Sequence, residues 1–319
     1  MAFGIILNNI NTKDKLQLAI AIPALLVSTI SGYIKYAIKI SMCASNWPEV
    51  FFVTRGLKDV SIIKMVDGTT FKLTKKTHLA FVEYCGYLLL PQRIKDHLKI
   101  RKSGKTTMSI KTPSRRIMCR TNSVSDLANE FYYQPHNLIN AKGLDVVDIG
   151  AYYGETALYY ALYQKARMVY GFEIEDKRVK LAKNLITSNN LSNRIKIFNK
   201  GVYATQSESN PTVNGEVKFL GSSKNGTTLA EIVRRFKLSG AALKVDIEGA
   251  EYDLFKNVSS DDLKKFKEIN IEYHFGYKTL VERLRREGYK VMYTKPRYQL
   301  NIFGWMGLTC QGDIVAKLH

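Results

Sequence analysis

The 319-residue chain predicts an α/β fold: a doubly wound, mostly parallel sheet of seven strands, preceded by a small β-containing lobe and an apolar N-terminal helix. Three observations carry that expectation. Short apolar runs alternate with amphipathic stretches of helical length through the second half, the pattern of repeated strand–helix–strand units. The first run, Val146-Val147, leads into Asp148-Ile149-Gly150-Ala151-Tyr152-Tyr153-Gly154-Glu155-Thr156, an acid and two glycines that turn a strand into a helix. The second, Met168 to Phe172, ends in Glu173, an acid where a doubly wound sheet holds the two hydroxyls of a ribose.

In chain order, the first segment (1–45) contains Leu16 to Ile34, which carries no charged residue and is flanked by Lys13, Lys15, Lys35 and Lys39. Three readings stand for it. It is just long enough to span a bilayer, at about 20 residues. Gln17, Ala21, Ala24, Ser28, Ser31 and Lys35 recur at helical spacing as a small or polar stripe, as on a helix lying at an anionic membrane surface. Such a helix also suits the cap of a soluble domain. A cleaved leader is disfavoured, because the stretch ahead of the run is itself partly apolar and includes Asp14.

The second segment (46–118) contains Ser61 to Val66, Asp67-Gly68 and Thr69 to Leu73, two β-rich runs around a hairpin turn signal. It then becomes basic: between Arg93 and Arg120 ten cations face only Asp96. That stretch reads either as a solvated connector or as a surface for an acidic partner. Over the whole chain 48 Lys and Arg outnumber 28 Asp and Glu, for a net charge of +20, while 45% hydrophobic residues exclude a disordered chain. Cys43, Cys85, Cys119 and Cys310 lie too far apart for a zinc motif and read as buried free thiols of a reducing compartment.

The third segment (119–319) places strands at Val146–Ile149, Met168–Phe172, Ile195–Phe198, Ala242–Asp246, Ile269–Tyr273, Tyr289–Tyr293 and Ile314–Lys317. Helices fall at Thr156–Gln164, Lys177–Asn189, Thr228–Phe236 and Tyr277–Glu287. Between Tyr203 and Gly226, Pro211, Asn214-Gly215 and a Gly/Ser-rich run read as a hairpin with flexible ends, or as a lid over a substrate.

Val146 to Gly154, then Tyr170-Gly171-Phe172-Glu173, then Leu243-Lys244-Val245-Asp246-Ile247-Glu248-Gly249-Ala250-Glu251 together resemble an FkbM-type S-adenosylmethionine-dependent methyltransferase. Thr227-Thr228-Leu229 and Glu272-Tyr273-His274 are similar to further blocks of that family, and the likeness runs from roughly Arg120 to the C-terminus. The chain departs from it at Tyr152-Tyr153, where the family usually has a smaller polar residue. The resemblance implies S-adenosylmethionine as cofactor and methylation of a hydroxyl, on a sugar or glycoconjugate, with the small lobe as a cover on the substrate side. The cysteine usage and the Leu16 to Ile34 run together predict a cytoplasmic protein, free, peripheral to a membrane, or anchored in one through residues 16–34. Two rival readings are an RNA methyltransferase of tRNA type and a non-catalytic membrane-associated binding module; nucleic acid is the less favoured partner.

The candidate cofactor residues are Asp148, Gly150, Ala151, Gly154, Glu155 and Thr156 in the turn, Glu173 and Ile174 for the ribose, Asn199 and Lys200 near the adenine, and Asp246. Each has a plainer competitor: Asp148 can order the turn, Glu173 can cap the next helix, Asn199 and Lys200 can simply turn the chain. The candidate catalytic residues are Asp246, Glu248, Glu272 and His274, which end neighbouring strands with the same alternation and otherwise read as a salt-bridged rim. A metal-free site is expected ahead of a divalent ion on Asp246, Glu248 and Glu272.

Overall fold

The computed structural model describes residues 6–75, 77–89, 98–103, 105–111, 116–120, 130, 138–204, 226–300 and 308–318. They belong to two compact units, Met1–Leu25 with Gln134–His319, and Leu26–Tyr133. The first helix, α1 (Thr12–Cys43), contributes residues to both. Among the described residues no helix is long and apolar enough to cross a membrane, and the side chains of residues 20–33 lie outside them.

In the Leu26–Tyr133 unit, α2 (Pro48–Thr54) is followed by β1 (Val60–Lys64) and β2 (Thr70–Thr74), an antiparallel pair in register from Val60↔Thr74 to Lys64↔Thr70. The expected turn is there: Gly68 has φ +83° and Asp67 Oδ1 accepts from the Thr69 N–H and hydroxyl. Alternation sends Ile63 and Leu73 into a core with Ile40, Cys43, Val50, Val53, Phe81 and Cys85, the last two from α3 (His78–Leu88), and leaves Ile62 exposed. Cys43, Cys85 and Cys310 are buried thiols outside any disulfide, as the spacing implied.

The basic run contains secondary structure. It forms β3 (Leu98–Ser103), β4 (Lys105–Lys111) and β5 (Arg116–Arg120), a three-stranded antiparallel sheet. The charge count hid β-forming residues, Thr106-Thr107-Met108 and Ile110 among them. Neighbouring residues of a strand face opposite ways, so a charge-rich run is compatible with pairing.

The other unit is built on one sheet. Its elements are β6 (Asp145–Ile149), α4 (Glu155–Leu162), β7 (Met168–Glu173), α5 (Asp176–Ser188), β8 (Ile195–Asn199), β9 (Gly201–Tyr203), β10 (Gly226–Thr228), α6 (Leu229–Phe236) and β11 (Ala241–Val245). There follow α7 (Glu251–Asn257), α8 (Ser260–Leu263), β12 (Phe266–Tyr273), α9 (Lys278–Arg286), β13 (Lys290–Tyr293), β14 (Arg297–Leu300) and β15 (Leu308–Lys317). The strand order is β13-β15-β12-β11-β6-β7-β8, with β14 pairing β15. From β12 to β8 every pairing is parallel; β15 runs antiparallel to β12, β13 and β14.

Among the described residues the sheet therefore has eight strands, not seven. The addition, β14, is short, polar and bonded on one side, which left it no apolar signal. β15 begins earlier than expected because polar Gly312 and Asp313 interrupt its apolar run, yet Gly312 pairs with Tyr273, where a side chain would collide with the Tyr273 hydroxyl. The 203–226 insertion contributes the parallel pair β9–β10 at its two ends, and the lid reading falls on 205–225, outside the described residues.

β6 and β11 are buried along their whole length. Ile6, Ile10 and Leu18 enter the same core. Thr279 donates to Asn9 Oδ1 (2.6 Å), Asn11 Nδ2 donates to the Tyr277 hydroxyl (2.9 Å), and that hydroxyl donates to Asp14 Oδ2 (2.7 Å). Residues 6–18 thus pack on the sheet unit. After β8 the chain returns to the other side of β6, so the strand order reverses at β6 and β11, and the crevice beyond the C-terminal ends of strands at such a switch point is where open α/β sheets bind ligands.

Candidate functional site

A cavity opens at those strand ends, about 640 Å³ counting the space open to solvent. Of the sequence candidates, Gly150, Glu173, Ile174, Lys200, Asp246 and Glu248 line it. Arg178, in the first turn of α5, also lines it and escaped notice, as did Tyr203 on β9.

Gly150 has φ +82°, and its added Cβ would collide with the carbonyl oxygen of Asp246. The glycine is therefore required first by the close approach of β6 and β11. The turn is tied by N–H groups of Gly150 and Ala151 on the Phe172 carbonyl (2.9 and 3.0 Å) and of Asp246 on the Ile149 carbonyl (3.0 Å). Gly154, at φ +85°, is the N-cap of α4, and a Cβ there would press on Ala182. Glu155 and Thr156 are buried in the first turn of α4, Ala151 is buried ahead of it, and none of these lines the cavity. Tyr152, where the sequence departs from the family pattern, takes φ +46° and lies under the Arg178 guanidinium, 4.6 Å from the ring centre.

Glu173 is buried at the end of β7. Its Oε2 accepts from the Tyr152 N–H (3.1 Å) and its Oε1 from the Glu175 N–H (2.9 Å). A carboxylate has about four acceptor positions, so each oxygen keeps capacity toward the cavity it lines. The cradle thus fits a nucleoside cofactor with a diol. Asn199 does not face that space: its Nδ2 donates to the carbonyls of Glu173 (3.2 Å) and Ile174 (3.0 Å) and so holds the β7 turn against β8.

Behind the cavity lies Lys244, a residue with no role in the sequence-based assignment. It is 2% exposed on β11, with Nζ 3.4 Å from Asp148 Oδ1, 3.6 Å from Asp246 Oδ2, and bonded to the Gly150 carbonyl (3.1 Å). Burial works against its charge, but Asp148 and Asp246 outweigh that and push its pKa above the ordinary lysine value. Asp148, fully buried, thus sits behind the turn in an ion pair and does not line the cavity. The signal for Lys244 was an isolated cation in the apolar run Ala241 to Val245.

His274 follows β12 and is 2% exposed. Its N–H and Nδ1 both lie on Glu251 Oε1 (3.0 and 3.1 Å), while Glu251 Oε2 accepts from the Gly249 N–H (2.8 Å). Its Nε2 faces Glu248 Oε2 at 3.3 Å and Asp246 Oδ1 at 3.7 Å. Burial alone would lower the pKa of the imidazole; Glu251, Glu248 and Asp246 overcome it and raise the value to about 9. Burial raises Glu248 as well, and burial with the charge of Asp246 raises Glu272 to about 7. Glu272 lies opposite Asp313 on β15 and belongs neither to the cavity lining nor to the Asp246–Glu248–His274 cluster. Glu248 takes φ +54° and Gly249 φ +106°, a tight turn that aims the acid back at the histidine. Glu251, fully buried, was quoted in the sequence motif without a role; nothing in one sequence tells a buried acid from a surface one.

Comparison with known proteins bears on this geometry. Residues 148–291 match the methyltransferase FkbM domain. No curated protein matches the chain in sequence. Among solved structures, M. capricolum TrmK with S-adenosylhomocysteine is 14% identical, with a TM-score of 0.38 over 58% of this chain and 66% of its own. The methyltransferase FkbM from Methylobacillus flagellatus KT is 15% identical, at 0.37 over 61% and 54%, and M. jannaschii TYW2 with AdoMet 17%, at 0.37 over 69% and 89%. This chain thus spans just under two thirds of the first and about half of the second, and likenesses at this level say nothing of the acceptor. The match runs from the acid of the first turn, across the cavity and the buried Glu251, to β13, so residues 148–291 carry a methyltransferase FkbM domain, whose cofactor is S-adenosylmethionine.

Proposed function

We propose that this protein transfers a methyl group from S-adenosylmethionine to a hydroxyl, with a sugar or glycoconjugate as acceptor. The observation that carries the hydroxyl is the acidic corner at the edge of the cofactor cavity, where Asp246 and Glu248 line the space and His274 meets them from β12. When bound, the donor supplies a methyl carbon on a sulfonium, already electrophilic. What this chain adds is alignment, worth on the order of 7–11 kcal/mol for a well-held pair, and a place for the hydroxyl proton. A carboxylate in reach of the acceptor oxygen takes that proton as the new C–O bond forms. Lys244 on one side of Asp246 and His274 on the other hold that carboxylate in place. After Val245 the chain reads Asp246-Ile247-Glu248-Gly249, so no planar amide stands where a base nitrogen would need one. The sugar class rests on the family resemblance.

Incubation with labelled donor and fractionated glycans, lipids and RNA tests the proposal. Label is expected in the glycan fraction, and Asp246→Asn and Glu248→Gln are expected to lower turnover about a hundredfold to ten-thousandfold, far more than they lower S-adenosylhomocysteine affinity. Label confined to RNA nucleobases overturns it.

We further infer an anionic membrane surface as a partner of the Leu26–Tyr133 unit. Ile34, Ile38 and Met42 recur every four residues on α1 and are each more than half exposed, as are Ile62 and Val66, and the unit carries 18 Lys and Arg against 7 Asp and Glu. Exposed apolar side chains among cations suit an interfacial face.

A further inference from the structure

We propose that Asp246, Glu248 and His274 form a binding site for a divalent cation. The proposal rests on the reading of the same corner as the acceptor end of the site. One carboxylate oxygen from each acid and one imidazole nitrogen lie within 4.8 Å of one another. Three donors held about 2.0–2.6 Å from a common ion have that spacing.

The histidine is what distinguishes this cluster from a group of surface acids. Its ring is 98% removed from solvent and its Nδ1 is engaged by Glu251, so Nε2 is the atom turned into the cluster. Among the described residues Nε2 makes no directed hydrogen bond; it stands 3.3 Å from one acid and 3.7 Å from the other. A buried carboxylate fixing the far nitrogen of an imidazole is the arrangement that orients histidine ligands toward metals. Glu251 orients two ligands at once, since its other oxygen holds the Gly249 N–H of the turn that carries Glu248. Asp246 is divided in the same way: Oδ2 faces Lys244 and Oδ1 faces His274.

Two carboxylates and one imidazole suit an ion of Mn²⁺ type, between the oxygen preference of Mg²⁺ and the nitrogen preference of Zn²⁺. With all three protein donors from the turn after β11 and the end of β12, coordination positions remain for water and for the oxygen of a hydroxyl-bearing acceptor.

The test uses the full chain without donor or acceptor. Mn²⁺ titration followed by electron paramagnetic resonance, with Mg²⁺ and Zn²⁺ as competitors, is expected to show one saturable site. Glu248→Gln and His274→Ala should each weaken it at least tenfold, and Glu251→Gln about tenfold to a hundredfold although Glu251 does not touch the ion. The thermal unfolding midpoint serves as the control for folding, and Glu248, half exposed, is the substitution the fold tolerates most easily. Absence of saturable binding for all three ions, or binding unchanged in a folded Glu248→Gln, overturns the site. Because no turnover is read, that failure leaves the hydroxyl assignment standing, and a nucleobase product would leave a measured metal site standing.

Discussion

At the scale of single residues, the buried charges around Lys244 decide the most. Removing one partner of a buried ion pair strands the other, at a cost of about 3–5 kcal/mol, whereas removing both is far cheaper. Lys244→Met is therefore expected to lower the denaturant midpoint strongly, and Lys244→Met with Asp148→Asn to recover part of the loss. Additive losses in that cycle would mean that the 3.4 Å contact is energetically silent. Glu173 makes a different prediction. A hydrogen bond to a charged group is worth about 1.5–3 kcal/mol, so Glu173→Gln, which keeps an acceptor for one of the two N–H groups it holds, should weaken S-adenosylhomocysteine roughly tenfold to a hundredfold by calorimetry. An unchanged affinity would return Glu173 to its plainer role of ordering the turn. Gly150 is unsuited to the same test: its replacement collides with the Asp246 backbone, and lost binding would report a disturbed sheet.

At the scale of elements, α6 shows how a sequence block acquires a reason. Thr228 Oγ1 accepts from the Glu231 N–H, and Glu231 Oε2 accepts from the Thr228 N–H, each at 3.1 Å, which closes a capping box. Thr227 adds its hydroxyl to the same carboxylate at 2.8 Å. Thr228→Ala is expected to cost about 1 kcal/mol of stability, visible as a lower thermal midpoint with cofactor affinity retained. A loss several times larger would show that β10, which ends in Thr228 and pairs with β9 along the cavity, depends on the cap as well.

At the scale of the whole molecule, the charge and apolar exposure of the Leu26–Tyr133 unit predict sedimentation with vesicles containing anionic lipid, weakened by salt because surface charge is screened over about 8–10 Å near physiological ionic strength. Ile38→Asp and Met42→Asp together should release the protein without touching cofactor affinity. Binding to neutral vesicles as strong as to anionic ones, or none to either, would remove the lipid surface as partner.

What could be read directly from residue order was whatever depends on local pattern. The strands and helices around Gly150 and Glu173 follow from periodicity and from the turn residues, and Asp67-Gly68 announced its hairpin, because each is a property of a few neighbouring residues. Asp246, Glu248 and His274 were legible as candidates for the same reason: they sit at strand ends. Tertiary structure alone decided which of them meet, that Glu272 stands outside the Asp246–Glu248–His274 group while still feeling the charge of Asp246, and that Asn199 is spent on holding a turn. It also decided the parts of Lys244 and Glu251, since whether a lone charge in an apolar run is buried and paired depends on strands far away in sequence. The three strands inside the basic run stayed hidden because repeated charge outweighs weak β-propensity in a count over residues. Pairing is fixed by backbone hydrogen bonds, to which that charge contributes nothing.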